Sequence, residues 1–158
     1  MLKNFKEGTF KVEEFPENVQ SYFRELIELS HKSTYAPYSN FGVCALIIDS
    51  EDTNFFGVNC ETANYDSSCA EAGSVMNYVL GGRKGIKLII IYGAPLKSEA
   101  ITGHFSTPCG RCRQRLYEHA KPDTRIICLD QTGANALVLK MDSLLPRAFG
   151  PEDLGFKK

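Results

Sequence analysis

Apolar positions along the chain follow two rhythms. Val19, Tyr22, Phe23, Leu26, Ile27 and Leu29 recur at helical spacing with charges between them, which predicts an amphipathic helix over 18–32. Tyr35-Ala36-Pro37-Tyr38-Ser39-Asn40 then breaks the pattern with turn-forming residues. Residues 43–48 and 54–58 are short apolar runs, and the polar Asp49-Ser50-Glu51-Asp52 between them predicts a hairpin. A second helix is expected from Ser67 or Ser68 through Ala70, Val75, Met76, Tyr78 and Val79 to a stop at Gly81-Gly82. Lys87-Leu88-Ile89-Ile90-Ile91-Tyr92 is the clearest strand, β-branched and central in expectation. Pro108-Cys109-Gly110 opens a third helix reaching His119, and residues 125–129 and 136–139 read as two further strands. The order α-β-β-α-β-α-β-β argues for the α/β class, with a mixed sheet of five strands covered by helices.

No repeat, low-complexity stretch or linker divides the 158 residues, a length that suits one domain with a real core. Residues 18–158 are read as that domain and residues 1–17 as an N-terminal extension. Its Phe5, Phe10 and Phe15 pack across an interface or belong to a mobile segment. A formal net charge of −1 gives no bulk pull toward nucleic acid or an anionic membrane. No apolar run reaches the roughly 20 residues of a membrane-spanning helix. The opening residues carry no apolar core of a secretory signal, so a cytoplasmic location is the expectation. Six cysteines stand at 44, 60, 69, 109, 112 and 128. Cys44 and Cys128 sit in apolar strand-like runs and read as buried free thiols, with Cys60 similar.

Cys69-Ala70-Glu71 and Pro108-Cys109-Gly110-Arg111-Cys112 carry the chemistry. Both segments should open helices, where free N–H groups and the dipole favour a thiolate, the form that binds zinc. The two sulfurs of C-x-x-C can meet one ion within a single turn, and Cys69 would add a third. Three protein ligands leave a position for water, as in a catalytic site rather than a structural one. A lone C-x-x-C also fits a redox pair or two core cysteines; the upstream C-x-E and Pro108 shift the balance to metal. Glu71 lies close to such a metal and is suited to proton transfer, although a first-turn glutamate also favours the helix dipole. His31, His104 and His119 show no ligand spacing and read as surface or packing histidines.

These two segments match the signature of zinc deaminases, and the chain resembles the small cytidine deaminases with three cysteine ligands. Tyr35-Ala36-Pro37-Tyr38-Ser39-Asn40-Phe41 is similar to the family's Y-x-P-Y-S-x-F, and Gly57-Val58-Asn59-Cys60-Glu61-Thr62-Ala63 to G-x-N-x-E-N-A. Residues 144–154, LLPRAFGPEDL, are similar to its C-terminal L-L-P-x-x-F-G-P-x-x-L. The resemblance implies a three-layer α/β/α fold, one Zn²⁺ per chain, and hydrolysis of cytidine or deoxycytidine to uridine or deoxyuridine in pyrimidine salvage. Asn59 and Glu61 would bind the ribose, where a site built on such bonds rejects ligands lacking the hydroxyl. Phe41, and Phe149 from another subunit, would flank base and sugar. Glu71, with the backbone at Ala70 and Thr107, would address the pyrimidine edge and its amino group. Tyr65 would complete a neighbouring site in a homotetramer.

The chain departs from the family in three places. Ala72 stands where members often carry an arginine, and three thiolates, a dication and hydroxide leave a double negative charge that is costly to bury. Arg111 or Arg113, with the two helix N-termini, would offset it. Thr62 replaces the usual asparagine, and the loop from Tyr65 to Cys69 is one residue short. The segment 93–107 is longer than usual. Three alternatives stay open. Blasticidin-S deaminases also show P-C-G-R-C-R-Q without the arginine, though Asn59-x-Glu61 and the tail fit cytidine deaminases better. A polynucleotide editor would need a basic, aromatic-lined channel. A noncatalytic zinc module leaves Glu71 and the ribose-binding pair unexplained.

Overall fold

The computed structural model describes residues 5–156. Its main elements are β1 (Gly8–Lys11), α1 (Glu17–Lys32), β2 (Phe41–Asp49), β3 (Asn54–Val58), α2 (Ala70–Leu80), β4 (Ile86–Pro95), α3 (Gly110–Tyr117), β5 (Arg125–Leu129), β6 (Asn135–Lys140) and α4 (Met141–Leu144). The strands form one mixed sheet in the order β1-β6-β5-β4-β2-β3, in which only β4 and β5 run parallel. Strand alternation sorts the core into two layers. Leu46, Ile48, Ile90, Ile127 and Leu129 point to one face and meet Val19, Phe23 and Leu26 of α1. Ala45, Ile47, Ile89, Ile91, Ile126 and Cys128 point to the other and meet α2, α3 and α4. Burial on both faces explains the unbroken apolar run of β4.

The sheet has six strands, not the five expected. The additional strand is β1, from the segment read as an extension, and it pairs antiparallel with β6 from Gly8↔Val138 to Lys11↔Asn135. Four residues are too few to show a period. The aromatic residues around it pack onto their own chain. Phe5 stacks on Phe15 at 4.3 Å, and Phe15, 2% exposed, meets Phe23 of α1 edge-on at 5.3 Å.

Two local features position the site. α2 begins at Ala70 rather than at Ser67 or Ser68, because Ser68 and Cys60 exchange backbone hydrogen bonds (2.9 and 3.0 Å) that hold Ser68 extended. Cys69 is therefore the residue capping the helix start, and Cys109 holds the same position at the start of α3. Gly57 of β3 then lets α2 lie directly on the sheet. A Cβ there would fall on the Ala70 carbonyl oxygen and the Ser74 amide nitrogen, well inside the 3.0 Å that real Cβ atoms respect.

Candidate metal centre and adjoining pocket

The sulfurs of Cys69, Cys109 and Cys112 all lie within 4.8 Å of one another, two from helix starts and one from the first turn of α3. A tetrahedral ion with zinc–sulfur bonds of about 2.3 Å holds sulfurs about 3.8 Å apart, so small side-chain shifts suffice to close the cluster. The donor chemistry fits as well. The Cys109 thiol is held below its ordinary value, chiefly by the Cys112 backbone N–H, with burial opposing and the Arg111 N–H assisting. Burial and the adjacent Glu71 charge push the buried Cys112 thiol up, so it becomes a thiolate only against a cation. Soft thiolates in a tetrahedral arrangement suit zinc.

Glu71 is 5% exposed on the first turn of α2. Burial pushes its carboxyl above the usual carboxylate value; its own backbone N–H, the Cys112 thiol and the charge of Arg115 act against this. It opens onto a cavity of about 470 Å³ whose lining includes Cys69, Cys109, Phe41, Asn59, Glu61, Ala70 and Thr107. Sequence positions spread over almost 70 residues thus meet around one cavity. The Asn59 side chain is fixed by both ends: Oδ1 accepts from the Val43 amide (2.8 Å) and Nδ2 donates to the Phe41 carbonyl (2.9 Å). Glu61 Oε2 accepts from the Tyr38 and Ser39 amides (2.9 and 3.2 Å), tying the 35–40 turn to the cavity wall. The Ser39 hydroxyl and these amides hold Glu61 below the usual carboxylate range, burial opposing.

Five expected residues lie outside this lining: Cys112, buried behind it in the sulfur cluster, and four others. Tyr65 is 85% exposed with its ring 6.1 Å from Tyr38, and Phe149 is 62% exposed with its carbonyl accepting from Gln114 Nε2. Among the described residues, Arg111 reaches only the Ser67 carbonyl, at 3.4 Å. Arg113 donates to the Pro108 and Leu144 carbonyls (2.8 and 3.2 Å), where it clamps the turn before Cys109 to the end of α4. The cation whose charge acts on Glu71 is Arg115, which sequence reasoning missed; it stands one helical turn past Cys112, a spacing that sequence does carry. His104, read as a surface or packing histidine, lines the cavity, as do Ser67, Ser68 and Phe105. No spacing rule marks these, since they sit on loops placed by distant partners. Cys44 and Cys128 are buried free thiols pushed up to about 12 by burial, whereas Cys60 is exposed rather than buried.

Known proteins point the same way. Residues 16–129 match the family model of the cytidine and deoxycytidylate deaminase zinc-binding region. A cytidine deaminase of Mycoplasma genitalium is 32% identical over 124 residues, covering 78% of this chain and 89% of that protein. One of Halalkalibacterium halodurans is 29% identical over 136 residues, covering 85% and 96%. Among solved structures, the cytidine deaminase of Burkholderia pseudomallei superposes with a TM-score of 0.67 at 31% identity, over 80% of this chain and 98% of that one. The Mycobacterium leprae enzyme gives 0.66 at 29% identity, over 82% and 98%. With its cysteine cluster, its cavity and these relatives in agreement, the chain belongs to the cytidine and deoxycytidylate deaminase family, whose cofactor is zinc.

Proposed function

We propose that this chain hydrolyses cytidine or deoxycytidine to uridine or deoxyuridine and ammonia. The observation that carries the reading is a buried carboxylate, Glu71, beside three converging thiols in a cavity of nucleoside size. Cys69, Cys109 and Cys112 would hold one zinc, which when bound lowers the pKa of water so that a nucleophile forms near neutral pH. Glu71 takes one proton from that water at its carboxylate and passes it to N3 of the base, then takes the second from the new hydroxyl at C4 and gives it to the amine, which departs as ammonia while C4 becomes the carbonyl. Its burial keeps the proton within the site during the transfer. The Ala70 amide and Thr107 carbonyl address the base edge, and Phe41 covers the ring. Asn59 and Glu61, already fixed by backbone partners, meet ribose hydroxyls without further loss of side-chain freedom.

Charge compensation falls to Arg111 and Arg113, with Arg115 adding its field at Glu71. The exposure of Tyr65, Phe149, Met76 and Leu80 supports a homotetramer in which the two aromatics enter neighbouring cavities. Among the described residues no helix is long and apolar enough to cross a membrane. Six cysteines outside any disulfide support a reducing, cytoplasmic setting, and the proposed reaction gives the chain its role in pyrimidine salvage.

The test compares wild type with Glu71→Ala for bound zinc and for the absorbance change of cytidine. Zinc near one per chain in both, with turnover only in wild type, is the expected result. Zinc-loaded wild type that leaves cytidine untouched overturns the substrate, and blasticidin S is then the next substrate to assay.

A further inference from the structure

β4 and β5 run side by side from Leu88↔Arg125 to Ile91↔Cys128, and their ladder stops there. Past it, one residue of the loop between β4 and α3 ties the two strands together. Ser106 donates its amide to the Leu129 carbonyl (3.3 Å) at the end of β5 and its hydroxyl to the Gly93 carbonyl (2.9 Å) of β4. Gly93 permits this approach, since a Cβ there would stand 2.9 Å from both the Ser106 hydroxyl and the Phe41 ring. Residues 101–105 are fastened to the β5 side. Phe105 bridges Asp130, the Gln131 amide donates to the His104 carbonyl (3.1 Å), and Asp130 Oδ2 and Gln131 Oε1 accept from the Gly103 and Ile101 amides (2.9 Å each). Ser106 adds the tie to β4.

Thr107 follows directly and lines the cavity with Cys109. Its amide donates to the Phe105 carbonyl (3.1 Å), while its own carbonyl receives no hydrogen bond from any described residue. In the nucleoside-deaminase reading, on which this step rests, the donor for that carbonyl is the amino group at C4 of the base. Cys109 has a fastening of its own, because Arg113 holds the Pro108 carbonyl (2.8 Å) to the end of α4. Separate residues thus hold the metal ligand and the acceptor carbonyl, on either side of Pro108.

We propose that Ser106 is a positioning residue for the deamination: by tying the Gly93 and Leu129 carbonyls it sets the depth at which the Thr107 carbonyl meets the amino group. Its effect falls on the departing amine and spares the metal. The amine gains a proton before it leaves, and a charged donor bonds an acceptor roughly twice as strongly as a neutral one. The position of the carbonyl therefore counts more in the transition state than in substrate binding. A misplacement of about 1 Å costs on the order of 100-fold, so a drift of a few tenths of an ångström costs roughly 3- to 10-fold.

The experiment compares Ser106→Ala with wild type, using cytidine as substrate and uridine as inhibitor. Uridine carries an oxygen where cytidine carries the amine, so an acceptor at that place gives it nothing. The variant should keep zinc near one per chain and lose only the few degrees of melting temperature that one neutral hydrogen bond supplies. Its kcat on cytidine should fall roughly 3- to 10-fold with KM changed by less than about 2-fold, while the inhibition constant of uridine stays at its wild-type value. A merely structural role would weaken uridine along with cytidine, and that result overturns the proposal. So does an unchanged kcat, or a loss of zinc, which would put the effect on Cys109 instead. Zinc-loaded wild type inert toward cytidine and deoxycytidine overturns the deaminase reading itself and this assignment with it, an outcome distinct from a variant that fails beside an active wild type.

Discussion

Replacing Gly57 by alanine puts a methyl group where β3 and α2 touch through backbone alone. The added carbon would meet the Ala70 carbonyl oxygen, the Ser74 amide nitrogen and, at 2.8 Å, the Gly73 carbonyl carbon, none of which can swing aside as a side-chain tip could. Restoring ordinary contact at 3.4 Å or more requires α2 to retreat by about 1 Å, and overpacking of this kind costs about 1–3 kcal/mol. For a chain of this length that is a fall in Tm of roughly 2–12 °C. The retreat also carries Cys69 and Glu71, which open the helix, away from Cys109 and Cys112 on α3. A misplacement of about 1 Å costs a reacting group on the order of 100-fold in rate. Activity per folded, zinc-loaded chain should therefore drop far more than stability does. Thermal melts, zinc content and cytidine turnover on one preparation check this. Gly110→Ala is the control, since a Cβ there has nothing within 4 Å. A Gly57→Ala enzyme with wild-type melting and turnover would refute the reasoning.

Other parts of the structure lead to equally direct expectations. Arg111→Ala and Arg113→Ala should each lower zinc content or rate, the second more because its clamp on Pro108 and Leu144 goes too; normal values in both variants would end the charge-compensation proposal. Dilution to monomers, followed by light scattering alongside activity, should abolish turnover if Tyr65 and Phe149 complete neighbouring cavities, whereas a fully active monomer refutes shared sites. Phe15→Ala should cost about 3–5 kcal/mol in denaturant melts, as for a buried core aromatic; a loss near zero would mean that the first residues only rest on the fold. Burial pushes Asp130 up, but the Asn135 side chain, the Gly103 and Asn135 amides and the Thr132 hydroxyl outweigh it and hold the carboxyl below its ordinary 3.8. A depressed native pKa stabilises the fold above the unfolded value and is lost as pH falls through the folded one. Asp130→Asn should accordingly flatten the loss of stability below about pH 4, and an unchanged acid limb would count against the assignment.

What was legible in the sequence was local. Cys69-x-Glu71 and Pro108-Cys109-x-x-Cys112 each fit within one helical turn, so spacing alone brings their side chains to one place. The long strand β4 and the amphipathic α1 declare themselves by period. Illegible features depend on partners far along the chain. The strand Gly8–Lys11 exists because β6 offers it an edge. His104 faces the cavity because Asp130 and Gln131 hold its loop. α2 starts two or three residues later than its sequence implies because Cys60, not local propensity, keeps Ser68 extended. The family resemblance supplied Asn59 and Glu61, and the geometry explains them: a rigid amide and a rigid carboxylate on one wall.

The pairing of the first strand with the last sets an order of events during biosynthesis. Lys11 leaves the ribosome early, yet its partner Asn135 follows more than a hundred residues later. At about 5–20 residues per second the wait is roughly 6–25 s. Throughout it β1 lacks the neighbour that completes its ladder, although Phe5 can already stack on Phe15 and Phe15 can meet Phe23. The sheet of the newborn protein thus closes at this edge only when β6 emerges to receive the strand made first.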